Sequence, residues 1–362
     1  MTLTIGIDVG GANTKIAALK VYDGRAVSLS TGIRYLPLWR KLSELPSTLR
    51  ILTAEALQDM YGKPDMVALT MTGELSDVFK SKDEGVRAIC RMVLEVFEGL
   101  EINVLDRGGR LVSVDDALKN PYSVAASNWY ASGWFASQFF DLCILVDVGS
   151  TTTSIVPVVM GEVKVEGFTD LEKLQLYELV YTGALRTNLA TIASRIRFRD
   201  RWVNVSSEYF AQTGDVYILL GFISAEDYIC DTPDGRGLSR EEAADRIART
   251  ICADTRILSM DDVLAVARYF YRRQVEAIAS ALRRKAERMQ ERFNVDGIPC
   301  ITTGLGEDFL AAEAAVKAGL KPVVRLSRVT RRDVALMTPA VGLAFLAASR
   351  VEGKRVYWNP KL

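Results

Sequence analysis

Two segments of the chain place an aspartate two residues before a glycine and follow the glycine with small polar side chains. The first segment contains Asp8, Gly10, Gly11, Asn13 and Thr14. The second contains Asp147, Gly149, Ser150, Thr151 and Thr152. Glycines with positive φ would turn successive backbone N–H groups outward, and such a nest holds phosphate oxygens. We therefore predict two phosphate-binding loops, with Asp8 and Asp147 holding Mg²⁺, usually through water.

The two segments are copies of one pattern. Residues 5–16 (IGIDVGGANTKI) align without gaps on residues 144–155 (ILVDVGSTTTSI), and Ile, Asp, Val, Gly, Thr and Ile recur in the same register. A single copy would be more simply explained as a plain hairpin. Two copies in register, with a third glycine loop elsewhere, favour ligand binding. The repeat predicts duplicated domains that face each other across a cleft.

The third glycine loop lies between a predicted strand at residues 299–303 and a predicted helix at residues 307–318. Gly304 and Gly306 form the turn. A helix N-terminus behind glycine is an anion site, because its first N–H groups have no acceptor within the helix. The same turn is also a common packing element, so both interpretations stay open.

The composition limits the chemistry that is available. Among 362 residues there is no histidine, which removes imidazole bases, histidine-activated nucleophiles and histidine metal ligands. Lys plus Arg and Asp plus Glu both number 45, so no overall basic field attracts nucleic acid. Five widely spaced cysteines without a C-x-x-C pair favour buried, reduced thiols over a zinc site or disulfides. Proton transfer is left to Asp, Glu, Lys, Tyr, Cys or the substrate.

The apolar pattern predicts an α/β chain. Strands are expected at residues 3–8, 14–21, 26–35, 66–71, 102–105, 111–114, 142–147, 151–159, 163–167, 299–303 and 323–326. Helices are expected at residues 45–61, 83–97, 115–118, 123–140, 239–258, 259–293, 307–318 and 338–350. Residues 283–285 are interpreted as a solvated helix face.

We place the first domain at residues 1–140 plus 338–362, with a returning C-terminal helix. The second domain then covers residues 141–337 and carries a helical insertion. The N-terminus has neither a basic region nor a long apolar stretch, and no run reaches the roughly 18 apolar residues of a membrane span. A cytoplasmic protein without membrane or nucleic-acid partners is expected, and a homodimer is one option that the sequence leaves open.

The three glycine loops resemble those of the actin, sugar-kinase and heat-shock-ATPase superfamily. Residues 8–15 look like its first phosphate loop, residues 147–153 like its second, and residues 302–306 like its adenosine-side loop. Their order and spacing cover most of the chain. The resemblance implies two ribonuclease-H-like (actin-like ATPase) domains with a ligand cleft between them.

Further strings resemble the hydantoinase/oxoprolinase-related proteins of tetrahydromethanopterin-linked one-carbon metabolism. They are residues 70–77 (TMTGELSD), 125–129 (AASNW), 181–187 (YTGALRT), 208–211 (EYFA), 214–217 (GDVY) and 231–237 (DTPDGRG). The resemblance implies a transferase of methanofuran biosynthesis that uses no ATP. Its substrates would be an aminomethyl-furanmethyl diphosphate and the phenol of γ-glutamyltyramine, which form an aryl ether as pyrophosphate leaves.

For that reaction we expect metal-assisted ionisation of the furanmethyl diphosphate. The nests of the first two loops, together with Lys15, would take up the charge that develops on pyrophosphate. Glu74 or Asp77, after the strand at residues 66–71, would deprotonate a phenol of pKa about 10. The alternatives are a solvated lysine at position 15 and carboxylates of a helix cap or loop at positions 74 and 77.

Three further side chains are candidates for substrate binding. Trp129 and Tyr181 could stack on an aromatic substrate, although core packing is the simpler explanation for both. Arg186 could bind a substrate carboxylate, or it could lie at a helix C-terminus.

Two other functions remain open at this stage. An ATP-dependent kinase of a small metabolite would bind ATP tightly and transfer or hydrolyse its phosphate. A non-catalytic nucleotide-gated switch would close on its ligand without turnover. A titration with ATP, ADP and pyrophosphate would discriminate between these functions and the transferase.

Overall fold

The first half of the chain builds a six-stranded mixed sheet. The computed structural model describes residues 1–362. The strands are β1 Thr2–Val9, β2 Asn13–Tyr22, β3 Arg25–Tyr35, β4 Met66–Met71, β5 Ile102–Leu105 and β6 Leu111–Ser113. Their order is β3-β2-β1-β4-β5-β6. The first three strands are antiparallel neighbours, whereas β1 pairs with β4 and β4 with β5 in parallel.

The central strands of this sheet are covered on both faces. Every residue of β1 and β4 is buried. Strands buried on both faces have near-continuous apolar sequences rather than alternating ones. The parallel arrangement also brings the carboxyl ends of β1, β4 and β5 to one edge, where Asp8 and the segment after Met71 lie.

A second sheet repeats this order. The remaining strands are β7 Leu142–Val148, β8 Thr153–Val159, β9 Glu162–Val163, β10 Leu179–Val180, β11 Arg195–Phe198, β12 Arg201–Asn204, β13 Cys300–Gly304 and β14 Val323–Arg325. The sheet runs β10-β8-β7-β13-β14, with β9 also paired to β8, while β11 and β12 form a separate hairpin. If β9 and β10, which both pair with β8, are taken as one third position, the second sheet has the order third, second, first, fourth, fifth, as do the first five strands of the first sheet. This is the ribonuclease-H-like arrangement that the superfamily resemblance implies.

Helices flank the sheets and form a helical region between β12 and β13. They are α1 Leu38–Lys41, α2 Leu45–Leu57, α3 Lys82–Val96, α4 Val114–Lys119, α5 Pro121–Val124, α6 Asn128–Ala136, α7 Asp170–Gln175, α8 Leu189–Ile192, α9 Thr213–Leu220, α10 Arg240–Arg249, α11 Met260–Phe293, α12 Glu313–Ala318, α13 Leu326–Val329, α14 Arg332–Leu336 and α15 Thr338–Glu352. Short 3₁₀ turns lie at Leu42–Glu44 and Gly73–Leu75, and a π-helical segment at Glu307–Ala312 precedes α12. None of the helices combines the length and the hydrophobicity that a membrane span requires.

The chain divides into two compact units. Unit 1 contains Met1–Leu145, Val156–Glu172 and Leu326–Leu362, and unit 2 contains Val146–Ile155 and Lys173–Arg325. These units follow the internal contacts of the chain, and the domain limits set at residues 140 and 338 remain a prediction.

Several predicted helices differ from the observed ones. The helix expected at residues 123–140 is interrupted, because Ala125 is extended and Ala126 has a left-handed φ of 52° between α5 and α6. The helix expected at residues 239–258 ends at Arg249 in α10. The expectation of α11 is confirmed, and its capping box at Ser259 and Asp262 is present. The hairpin β11–β12 and helix α9 were not predicted.

The expectation of a solvated face at residues 283–285 is wrong for Lys285. Its side chain is 1% exposed and lies 2.5 Å from Oε1 of Glu178, which is also buried. Lys173 Nζ lies 3.7 Å from the other oxygen of Glu178. The reason is helical spacing, since Lys285 stands four residues after Ala281 and four before Met289 on the buried stripe of α11. Among the cysteines, Cys252 is exposed rather than buried.

Candidate functional site

The first loop joins β1 to β2 in unit 1. Its turn is closed by the Gly10 N–H, which donates to Asn13 O at 2.9 Å. Asp8 is 3% exposed and pairs in register with Lys15 across the two strands. Lys15 Nζ lies 3.8 Å from Asp8 Oδ2. The strand pairing therefore places one carboxylate and one ammonium group at the base of the loop.

The second loop joins β7 to β8 in unit 2 and has the same closure. Gly149 N–H donates to Thr152 O at 3.0 Å, as Gly10 donates to Asn13 in the first loop. Gly149, Ser150, Thr151 and Thr152 are half-buried, so part of the loop faces solvent. Ser154 stands where the first copy has Lys15. The two copies therefore share a backbone turn but differ in the charge beside it.

Gly10 serves close approach rather than positive φ. Neither Gly10, Gly11 nor Gly149 has a left-handed φ, so this part of the expectation was wrong. A Cβ atom at Gly10 would lie 2.8 Å from Asn13 O, inside the turn that its own N–H closes. In the first loop, glycine is therefore needed because the chain folds back on itself.

A segment of unit 2 at residues 183–186 lies directly on the second loop. Leu185 N and Arg186 N both donate to Ser150 O at 2.9 Å. A Cβ atom at Gly183 would lie 2.5 Å from the backbone carbon of Thr151, so only glycine permits this contact. Arg186 Nη1 donates to Thr151 Oγ1 at 3.2 Å. The guanidinium group predicted for substrate binding thus contacts the second loop.

The third loop also meets the end of β7. Gly304 has a φ of +87°, and a Cβ atom there would lie 2.7 Å from Asp147 Oδ1. Gly306 N–H donates to Val148 O at 3.0 Å. Both glycines are buried. Unit 2 therefore brings together Asp147, the second loop and the third loop. At Gly304 a positive φ and close packing both favour glycine, and at Gly306 close packing against Val148 does.

A buried network that was not predicted holds the segment at residues 183–186. Gln274, on α11, donates from Nε2 to Thr182 Oγ1 and to Gly183 O, both at 2.8 Å. The Tyr217 hydroxyl donates to Oε1 of Gln274. A glutamine on a helix gives no sequence signal of this kind, because its partners are far away in the chain.

Glu74 is a buried carboxylate beside the first loop. It lies in the Gly73–Leu75 turn after β4, and Thr72 N–H donates to Val9 O at 3.0 Å. Its side chain is 1% exposed, and neither carboxylate oxygen has a hydrogen-bond partner. Lys82 Nζ lies 3.5 Å from Oε1, which is an ion-pair distance rather than a close hydrogen bond.

Burial controls the proton affinity of this group. Desolvation raises the pKa of Glu74 from 4.5 to about 7, against a smaller lowering by Lys82. A carboxyl group with a pKa near neutrality can accept a proton at the pH where it is half ionised. Such a perturbed group next to a loop is a candidate functional residue.

Of the predicted site residues, Asp77 and Tyr181 are exposed, and Trp129 is buried in the packing of unit 1. Trp129 is 4% exposed, and its Nε1 donates to Ala126 O at 2.7 Å inside unit 1, so its ring is used in packing. Tyr181 is 61% exposed and precedes the segment that lies on the second loop. Of the first-loop residues, Thr14 is fully buried and its hydroxyl has no hydrogen-bond partner.

The donor set for a metal ion consists of one carboxylate in each loop region. No group of three or more His, Cys, Asp or Glu side chains is arranged to hold a metal ion. Mg²⁺ is commonly bound by one or two carboxylates together with substrate phosphates and water. Asp8 and Asp147 therefore fit Mg²⁺ only as single ligands, with phosphate and water completing the coordination.

The strand order defines the fold class of the protein. The chain has an α/β fold with two ribonuclease-H-like units. A nucleotide-free structure of acetone carboxylase is similar in fold, with a TM-score of 0.53 and 12% identity over 95% of this chain and 70% of that chain. At that identity the similarity concerns the fold alone.

The chain belongs to the hydantoinase/oxoprolinase family, whose model matches residues 65–350. It is 36% identical over 353 residues to the (4-{4-[2-(γ-L-glutamylamino)ethyl]phenoxymethyl}furan-2-yl)methanamine synthase of Methanocaldococcus jannaschii, covering 97% of this chain and 99% of that protein. The protein of the same name from Methanococcus vannielii is 36% identical over 223 residues, covering 61% of this chain and 97% of that protein. Both relatives are named as synthases, so the relationship indicates an enzyme.

Proposed function

We propose that this chain joins an aminomethyl-furanmethyl diphosphate to the phenol of γ-glutamyltyramine and releases pyrophosphate, in methanofuran biosynthesis. The observation that carries the proposal is the 36% identity to the Methanocaldococcus jannaschii synthase over 97% of this chain. The name of that synthase describes a furan and a glutamylated phenyl group joined through a phenoxymethyl linkage. An enzyme that makes this linkage must form one aryl ether bond.

The bond changes balance without a further reactant. The bond between the furanmethyl carbon and the diphosphate oxygen breaks, and its electron pair leaves with pyrophosphate. The same carbon forms a bond to the phenol oxygen, which gives up its proton. The products are the ether, pyrophosphate and one proton, so the reaction requires no ATP.

The strand-end loops suit the departing diphosphate. The first loop carries Lys15, and the second is contacted by Arg186, which donates to Thr151. Donors that are already oriented stabilise charge that develops in the transition state at little reorganisation cost. Mg²⁺, when bound, would neutralise part of the charge on the diphosphate. Asp8 and Asp147 would be its protein ligands.

Glu74 is our candidate for the base that takes the phenol proton. Burial raises the pKa of Glu74 to about 7, which narrows the difference from the ordinary pKa of a phenol, about 10. Asp77 is a poorer candidate, because it is exposed and lacks the buried surroundings of Glu74. The buried environment of Glu74 supplies the proton affinity that general base catalysis needs.

The test is turnover with defined substrates. The purified chain, Mg²⁺, γ-glutamyltyramine and aminomethyl-furanmethyl diphosphate should give the ether by mass spectrometry and pyrophosphate in equal amounts. ATP should be neither needed nor consumed. Ether formation that depends on ATP, or ATP hydrolysis without ether formation, would direct the assignment to a kinase or a nucleotide-gated switch instead.

A further inference from the structure

We propose that Lys82 and Asp170 form a positioning pair that sets the proton affinity of Glu74, with one ammonium group shared between two carboxylates. The inference rests on the proposed role of Glu74 as the base. All three residues belong to unit 1. Neither Lys82 nor Asp170 was a candidate on the sequence.

The geometry of the pair is asymmetric. Lys82 Nζ lies 2.5 Å from Asp170 Oδ2 and 3.5 Å from Glu74 Oε1. Lys82 is the first residue of α3 and Asp170 the first residue of α7. The Lys82 and Asp170 side chains are 18% and 30% exposed, whereas Glu74 is 1% exposed. The ammonium group is therefore held mainly by the more exposed carboxylate, which limits how strongly it stabilises the buried one.

The other charged groups near Glu74 are engaged elsewhere. Arg107, between β5 and β6, donates from Nε to Ala125 O at 3.0 Å. Burial lowers the pKa of Arg107, and this effect exceeds the opposite effect of the negative charges on Asp170, Glu74 and Glu172. Glu172 accepts hydrogen bonds from the backbone N–H groups of residues 168 and 169.

On the side of the first loop, Asp8 and Lys15 form their own pair at 3.8 Å. Lys82 is the cation within ion-pair distance of Glu74. The proton affinity of Glu74 should therefore respond to Lys82 and to the carboxylate that competes for it.

The arrangement predicts opposite effects for the two partners. Removing the Lys82 charge removes the attraction that favours the ionised form of Glu74, so the carboxyl group should hold its proton to higher pH. Neutralising Asp170 removes a like charge and leaves Lys82 available to Glu74, so the carboxyl group should lose its proton at lower pH. A merely structural role would not move the two variants in opposite directions.

The experiment is a titration of the Glu74 carboxyl carbon by ¹³C NMR in the full chain. Its signal is assigned by its absence from Glu74→Gln. We expect the midpoint to rise by about one pH unit or more in Lys82→Met, to stay near the wild-type value in Lys82→Arg, and to fall in Asp170→Asn. Lys80→Met, at an exposed position two residues before Lys82, is the matched control and should leave the midpoint unchanged.

An unchanged midpoint in a folded Lys82→Met protein, or a shift of Lys82→Met and Asp170→Asn in the same direction, overturns the proposal. If Lys82→Met does not fold, the Asp170→Asn variant tests the proposal. A Glu74 midpoint that is unchanged or higher in Asp170→Asn overturns it. The pH–rate profile separates this inference from the proposed function. If the midpoints shift as expected while the acidic limb of turnover stays in place, the pair sets the proton affinity but Glu74 is not the base.

Discussion

Helix α3 approaches the backbone of Glu74 so closely at Gly85 that no side chain fits between them. A Cβ atom at Gly85 would lie 2.3 Å from the backbone oxygen of Glu74 and 2.6 Å from its Cα. The helix that supplies Lys82 therefore also fixes the turn that carries Glu74. A glycine inside a helix is unfavourable by about 1 kcal/mol relative to alanine, and this contact explains its presence.

Gly85→Ala should displace the turn that carries Glu74. Overpacking of this kind costs about 1–3 kcal/mol, partly offset by the better helix propensity of alanine. A shift of the base by about 1 Å can lower turnover by about 100-fold. The checks are urea unfolding and the rate of ether formation, with Arg91→Ala as a control at an exposed position of the same helix. Wild-type turnover in Gly85→Ala would show that the position of the turn does not matter.

Glu74→Gln should lower kcat by about 10²- to 10⁴-fold, because the amide cannot accept the phenol proton. The KM values for both substrates should change little, since the variant keeps the size of the side chain. Steady-state kinetics measures both effects. Glu98→Gln, an exposed carboxylate of the same unit, is the control and should behave as wild type. A Glu74→Gln protein with full turnover would exclude this residue as the base.

The burial of Glu74 should make the protein less stable as pH rises. Its pKa is about 7 in the folded chain and near 4.5 in the unfolded chain, so the folded state binds more protons between these values. The favourable contribution is fully present below pH 4.5 and is lost as pH rises through 7. The free energy of unfolding of wild type relative to Glu74→Gln should fall by about 3 kcal/mol between pH 4.5 and pH 8. Urea unfolding at both pH values checks this, and a constant difference would contradict it.

Gly183→Ala should disturb the second loop more than Gly149→Ala, although Gly149 belongs to the loop itself. A Cβ atom at Gly183 would lie 2.5 Å from the backbone of Thr151, whereas one at Gly149 would lie 3.7 Å from Thr152 O, an ordinary contact. We expect pyrophosphate with Mg²⁺ to bind at least about tenfold more weakly to Gly183→Ala, equivalent to about 1.4 kcal/mol. Calorimetric titration measures this. The opposite ranking of the two variants would mean that the backbone at Gly149 is more constrained than the contacts indicate.

The repeat could be predicted from sequence because its pattern is local. A strand, an aspartate, a glycine turn and a second strand lie within residues 5–16 and recur at residues 144–155. The equivalent hydrogen bonds of Gly10 and Gly149 follow from that local pattern. The reason for Gly10 was harder to predict, since its close approach to Asn13 depends on atoms that only the folded turn brings together.

The roles of the carboxylates could not be ranked from sequence. Glu74 and Asp77 stand three residues apart in similar surroundings, and only tertiary packing buries one and exposes the other. Lys82 and Asp170 are far apart in the chain, so their pairing has no local signal. Lys285 gave a misleading signal, because two arginines precede it on the same helix. Burial of a charge is set by partners such as Glu178, which sequence periodicity does not reveal.

The most direct test of the account is turnover of aminomethyl-furanmethyl diphosphate and γ-glutamyltyramine by the purified chain without ATP. We predict one pyrophosphate released for each aryl ether formed, with both products lost together in Glu74→Gln. Pyrophosphate release without the ether, or no reaction until ATP is added, would contradict the proposed function.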